Sequence, residues 1–215
     1  QATHLVILND KEEAAYFHND LVSLIGEEDV FFFPSTYKRS IQYGQMESGN
    51  IVLRTEVINY LGSGKRKCII VTYPESVMEK VISKKSLRKN TLQIRQGETL
   101  SMSFIEEMLV EYNFTRVDFV SEPGEYSIRG SILDIYSYSN EMPYRLDFFG
   151  EEIESIRTFN IEDQLSIKKL EAISIIPNIQ DVNIEETIET FPAFLSPSSI
   201  IWLDEAGFIL DRINN

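Results

Sequence analysis

Three side chains in two neighbouring segments, Arg129, Arg145 and Phe149, have types and spacing suited to gripping another protein. Arginine and aromatic residues are the types most enriched where interfaces concentrate their binding energy. In an extended strand alternate side chains share a face. Across Pro143 to Gly150 that puts Tyr144, Leu146 and Phe148 on one side, a natural core face, and Arg145, Asp147 and Phe149 on the other. The bland alternative is that Phe149 folds under a neighbouring helix while Arg145 merely pairs with Asp147. Arg129 belongs to an adjoining strand, beside Gly130, which permits a bulge or a close backbone approach. A bulge there could bring Arg129 next to Arg145. Two guanidiniums kept close are better tolerated in water near an acidic partner than in a core. On residue types alone two readings stand: two unpaired arginines and one exposed ring on a common docking face, or the bland alternative.

Other chemistry is thinly represented. Gly62-Ser63-Gly64-Lys65 resembles part of a phosphate loop, but the leading glycine position holds Asn59 and the hydroxyl position holds Arg66. The glycines also precede a strand instead of joining a strand to a helix, so the match reads as a loop. Asp204-Glu205 follows an apolar strand as the acidic pair of a nucleoside triphosphatase would. Without a phosphate loop it reads as a helix start, where carboxylates suit the positive end of the dipole. A nucleoside triphosphatase using Lys65 and Asp204 stands as one rival reading. Two histidines, His4 and His18, and the single Cys68 have no metal-ligand spacing, and no serine sits in a G-x-S-x-G setting. No catalytic residue, metal ligand or cofactor is assigned.

Composition narrows the class. With 43% hydrophobic and 25% charged residues, the chain can bury a real core. Its 215 residues suit one or two domains. A net charge of -14 opposes a nonspecific grip on nucleic acid, which needs lysine and arginine to neutralise phosphates, though it permits a local basic patch. No apolar run approaches the roughly 20 residues of a membrane span. The lone Cys68 beside an apolar strand reads as a buried, inert thiol, in keeping with a reducing cytoplasm. The chain opens with Gln1 and stops within the helical pattern of Asp204 to Ile213, which points to a piece of a longer protein.

The elements that must position these groups fall into two styles. In the first, strands at His4 to Leu8, Val30 to Phe33 and Lys67 to Thr72 alternate with helices, which implies a parallel sheet. Asp10 with Glu13 forms a capping box for a helix whose apolar positions are 14, 17, 21, 24 and 25. Ser35 to Asn50 reads as a polar loop broken by Gly44 and Gly49, before a helix over Ile51 to Leu61. Pro74 suits the first turn of another helix. From Leu92 the pattern becomes α+β. Ser103 and Glu106 are taken as the capping box of a helix that Asn113 closes, and Val117 to Val120 as the start of an antiparallel run. Residues 178–190 are acidic and irregular, and Ser199 to Leu203 reads as one more buried strand.

Residues Pro123 to Ile135 and Pro143 to Phe159 together resemble the second domain of the bacterial transcription-repair coupling factors and the matching domain of the excision-repair protein UvrB. They follow a pattern P-G-E-[FY]-x-x-R-G-x-[IL]-L-D-[IL]-F, then P-x-R-[IL]-D-F-F-x-[DE]-E-I-[DE]-S-[IL]-R-x-F. Ser131 stands for a frequent glycine, Tyr136 for a frequent phenylalanine, and Ser137-Tyr138 where prolines are common. The resemblance implies a degenerate helicase-like (P-loop-fold) αβ domain over residues 1–90, completed by a return segment over 179–215. A mainly antiparallel α+β UvrB-type domain 2 over 91–178 would be inserted between them. It also implies a non-enzymatic module that recruits the UvrA excision-repair protein through Arg129, Arg145 and Phe149. ATP, magnesium, RNA polymerase and DNA would be handled by other domains of the full-length protein. In the family a C-terminal domain covers this surface in the resting protein. A second rival is direct recognition of damaged DNA, as in UvrB. The aromatic hairpin that UvrB inserts into DNA has no counterpart in these residues.

Overall fold

The computed structural model describes residues 2–36, 45–65, 67–179 and 188–214. Its first elements are β1 (Thr3–Ile7), α1 (Lys11–Ile25), β2 (Val30–Phe32), α2 (Gln45–Gly62), β3 (Cys68–Thr72), α3 (Pro74–Met78), β4 (Val81–Ile82) and α4 (Lys84–Lys89). A strand-rich stretch follows: β5 (Leu92–Arg95), α5 (Met102–Glu111), β6 (Thr115–Arg116), β7 (Glu125–Arg129), β8 (Ile132–Tyr136), β9 (Tyr144–Phe149), β10 (Glu152–Phe159), β11 (Ser166–Leu170) and β12 (Ala172–Ile175). The remaining elements are β13 (Ile188–Glu189), a 3-10 turn at Phe191–Phe194, β14 (Ile200–Leu203) and α6 (Ala206–Asn214). Residues 1–88 and 184–215 form one compact unit, and residues 89–183 a second. The expected mixture of α/β and α+β architecture is present.

In the first unit the sheet order is β14-β1-β3-β2, with every pairing parallel. Parallel neighbours need crossover connections, and α1 and α2 supply them. Asp10 caps α1 by accepting the Glu13 amide at 2.9 Å. Of the periodic apolar positions in α1, Ala14 is fully buried against Val71 and Tyr73 and Leu21 packs beside them, whereas Phe17, Leu24 and Ile25 are exposed. Cys68 is buried, and burial pushes its thiol up to about 11, so it stays protonated and unreactive near neutrality.

Two expectations for this unit change. The polar stretch read as a loop to Asn50 is helical from Gln45 onward, and Gly49 lies inside α2; residues 37–44, with Gly44, fall outside the described residues. A glycine in a helix costs about 1 kcal/mol, which burial of Ile51, Val52 and Ile58 just beyond it offsets. The strand at Ser199 to Leu203 forms as β14, but Ile200, Ile201 and Trp202 are exposed rather than buried. β14 is at the sheet edge, hydrogen-bonded to β1 on one side.

The second unit is built on a six-stranded sheet ordered β11-β10-β9-β8-β7-β6. One face carries its main core, where Ile105 and Leu109 of α5 and Ile94 and Ile173 of the β5/β12 ribbon pack with Leu133 and Leu146. The cap of α5 is Ser101, whose hydroxyl accepts the Phe104 amide at 3.2 Å, and not Ser103; the helix begins at Met102, two residues earlier than the capping-box match placed it. Asn113 closes the helix in the left-handed region, φ 60. Val117 to Val120 is not a strand. Pairing with β7 ends after Arg116 and is parallel, and Val120 instead enters a second, small core with Tyr136 and Phe159 on the sheet's other face.

Candidate functional site

Strand alternation and register together assemble the face opposite α5. Along β9, Tyr144, Leu146 and Phe148 are buried while Arg145, Asp147 and Phe149 face away, as the alternation required. β7 and β8 form a hairpin with Arg129 opposite Ile132, and Ile132 in turn lies opposite Asp147. Directly opposed residues share a face, so Arg129, Arg145 and Phe149 do stand on the same side of one sheet. No bulge is needed to do this. Gly130 and Ser131 make a two-residue turn, with Gly130 at φ +62. The bulge sits instead in β10, between Ile153 and Ser155.

Phe149 is 79% exposed at the end of β9. The bland alternative for it fails, because α5 covers the other face. Its hairpin is braced: Leu100 N–H donates to Glu151 C=O at 2.9 Å, Ile153 N–H to Glu98 C=O at 3.0 Å and Gly97 N–H to Ile153 C=O at 2.8 Å. A large apolar ring in water on a stiff turn has little left to order in any contact it makes.

The two arginines differ from expectation. They are not unpaired, and Arg145 does not pair with Asp147. Both converge on Asp134, which is 1% exposed. Arg145 Nε and Nη2 donate to its two oxygens at 2.7 and 2.9 Å, and Arg129 Nη2 donates to Oδ2 at 2.5 Å. Asp134 lies directly opposite Arg145 in the β8–β9 register, and the chain reaches Arg129 through the β7–β8 hairpin. Burying one carboxylate between two guanidiniums resolves their mutual repulsion within the chain itself. The hydrogen bond that Arg145 donates to Asp134, with desolvation opposing it, holds the guanidinium above its already high ordinary range. Arg145 also donates to Gln164 and stacks 4.2 Å from the Phe159 centroid, leaving 13% of its side chain exposed. Arg129 is more open, 4.7 Å above the exposed ring of Phe119 beside a shallow cleft. The site thus runs from the Arg129/Phe119 pair, through a mostly covered Arg145, to the bare Phe149. Asp134 was missed from sequence, although an aspartate inside the apolar strand Ile132 to Ile135 was its signal.

The remaining sequence candidates stay apart. Lys65 precedes β3 at its amino end, while Asp204 follows β14 at its carboxyl end. All four strands are parallel, so these residues lie at opposite ends of the sheet, about 15 Å apart along the strands. Lys65 rests over the Tyr60 ring at 5.3 Å, and Asp204 accepts from Asn9 at 2.9 Å ahead of α6. Arg66 is outside the described residues. His4 accepts from Trp202 Nε1 at 3.1 Å, and His18 packs against Phe32. Among the described residues no group of three histidine, cysteine or acidic side chains could hold a metal, and no helix is long and apolar enough to cross a membrane.

Residues 92–180 match the UvrB interaction domain family. The chain is 33% identical over 173 residues, 80% of its length, to the transcription-repair-coupling factor of Bacillus subtilis, of which it spans 14%. It is 32% identical over 57% of its length to the protein of that name from Escherichia coli and 26% identical over 87% to that from Haemophilus influenzae. It spans 11% and 16% of these two.

Proposed function

Because residues 92–180 match the UvrB interaction domain and most of the chain is similar to transcription-repair-coupling factors, we propose that it is a recruitment module without chemistry of its own, one that binds UvrA and so ties stalled transcription to nucleotide excision repair. Arg129, Arg145 and Phe149 carry the contact. The observation behind this reading is the exposed Phe149 on a braced hairpin, sharing a sheet face with two pre-oriented guanidiniums. The ring supplies hot-spot burial, and the arginines supply charge-assisted hydrogen bonds and orientation. The first unit, in this reading, is a degenerate helicase-like scaffold. ATP, magnesium, DNA and RNA polymerase belong to other parts of a longer cytoplasmic protein. A nucleotide site built on Lys65 and Asp204 is disfavoured by their separation across the sheet, and a damaged-DNA site by the net charge of -14.

The test is capture of purified UvrA by the chain and by its Arg129→Ala/Arg145→Ala/Phe149→Ala variant. Capture by the first and loss in the second is expected; equal capture by both would defeat the reading. Asp134 adds a second expectation. At 1% exposure it cannot meet a partner, but it orients both arginines. Asp134→Asn is expected to weaken UvrA binding by about tenfold while the chain still folds, seen as a retained cooperative melt. Unchanged affinity in a folded Asp134→Asn protein would remove the orienting role.

A further inference from the structure

The register carries the charged face further than the three docking residues. Arg145 lies opposite Arg157 in β10, and Arg157 lies opposite Lys169 in β11. One row perpendicular to the strands therefore reads Asp134, Arg145, Arg157, Lys169. Adjacent strands are about 4.8 Å apart, so the three cations span about 10 Å. Like charges directly opposite one another on neighbouring strands destabilise a sheet. The carboxylates on this face do not neutralise the row. Asp134 is committed to Arg129 and Arg145, and Asp147 pairs with Arg157 and also accepts from Ser155. Arg157 Nε is buried without an acceptor, and Lys169 has no carboxylate within ion-pairing distance among the described residues. A local positive stripe survives on a chain whose net charge is -14.

We propose that the docking surface extends from Phe149 across Arg145 to Arg157 and Lys169, and that this row receives an acidic segment of the partner protein. The inference rests on the recruitment reading above and names the partner chemistry that reading leaves open. A helix with carboxylates at i and i+4, about 5–6 Å apart, matches the step from one strand to the next. Protein is favoured over nucleic acid by what surrounds the row. Asp147 lies beside it, Glu151, Glu152 and Glu154 are exposed on the adjoining hairpin, and Phe149 ends it with an apolar ring. Those carboxylates confine the positive row to a short stripe, so a phosphate backbone, whose charge continues past the row, would be repelled, whereas a short acidic segment ending in an apolar pocket meets only the row and the Phe149 ring.

Lys168 supplies a matched control. It is adjacent on β11 and exposed, but it lies on the face of Leu170 and the main core, away from the row. Affinity for purified UvrA is measured for the chain, Lys169→Glu, Lys168→Glu and Phe149→Ala at low and high salt. Lys169→Glu is expected to weaken binding about tenfold, mostly through slower association that high salt levels out, with Lys168→Glu within about twofold of the parent. If Phe149→Ala weakens binding and Lys169→Glu does not, or if both lysine variants weaken it equally, the row is overturned and the recruitment reading stands. If Phe149→Ala is also without effect, both fall. A salt-dependent shift of duplex DNA by the parent chain that Lys169→Glu abolishes would assign the row to nucleic acid and overturn the proposal.

Discussion

Phe149→Ala is expected to weaken UvrA binding by about 2 kcal/mol, roughly thirtyfold in Kd, while leaving the fold unchanged. The two halves of that expectation have separate causes. The ring is 79% exposed, so the folded chain loses almost no packing when it is removed. Its backbone is held by hydrogen bonds from residues 97–100 that do not involve the side chain, so the hairpin keeps its shape. All of the lost energy is then energy of association. Phe149→Leu should recover part of it, since most of the contact is apolar area, and Phe149→Asp should recover none. Calorimetric titration of UvrA with each variant gives the comparison. A Phe149→Ala protein that binds as tightly as the parent would remove the anchor from the docking site and with it the strongest support for recruitment.

Arg54→Ala is expected to destabilise the first unit by about 3–5 kcal/mol, a large share of the 5–15 kcal/mol that holds a typical domain folded. Arg54 points from α2 into the interior and is 3% exposed. Its Nη1 donates to Pro34 C=O at 2.7 Å and to Ser76 Oγ at 3.0 Å, and it lies 3.5 Å from Glu79. The guanidinium stacks 4.1 Å from the Phe33 centroid. Burial drives its pKa down to about 10, against the opposing pull of Glu79 and Tyr73, and it is still a cation at neutral pH. Truncation strands the Pro34 carbonyl and leaves Glu79 without its countercharge. Lysine cannot replace the planar fork, so Arg54→Lys should cost nearly as much. Trp202 is the sole tryptophan and sits in β14 of the same unit, so its fluorescence follows this unit through urea unfolding. An unfolding free energy within about 0.5 kcal/mol of the parent's would show that the buried guanidinium contributes little.

The alternation of Pro143 to Gly150 was enough to put Arg145 and Phe149 on one face and Leu146 and Phe148 in a core, because strand periodicity is local and leaves two choices. The helix capped by Asp10, the turn at Pro74 and the left-handed Asn113 were legible for the same reason: each depends on a few consecutive residues. The errors arose at boundaries and partners. Ser101, not Ser103, caps α5, since two nearby serines offer the same chemistry and packing selects between them. Nothing local distinguishes a buried strand from the exposed edge that β14 becomes.

What this sequence determined by itself was the placement of Arg145 and Phe149 on one face of a strand, opposite Leu146 and Phe148, because side-chain type and period-two spacing are properties of the chain. Only the tertiary structure decided that Asp134 joins Arg129 to Arg145, that Arg157 and Lys169 continue their row, and that Lys65 and Asp204 face opposite ends of a parallel sheet. Those relations depend on strand register and direction between segments distant in sequence, which hydrogen bonding across the sheet sets and no single segment encodes.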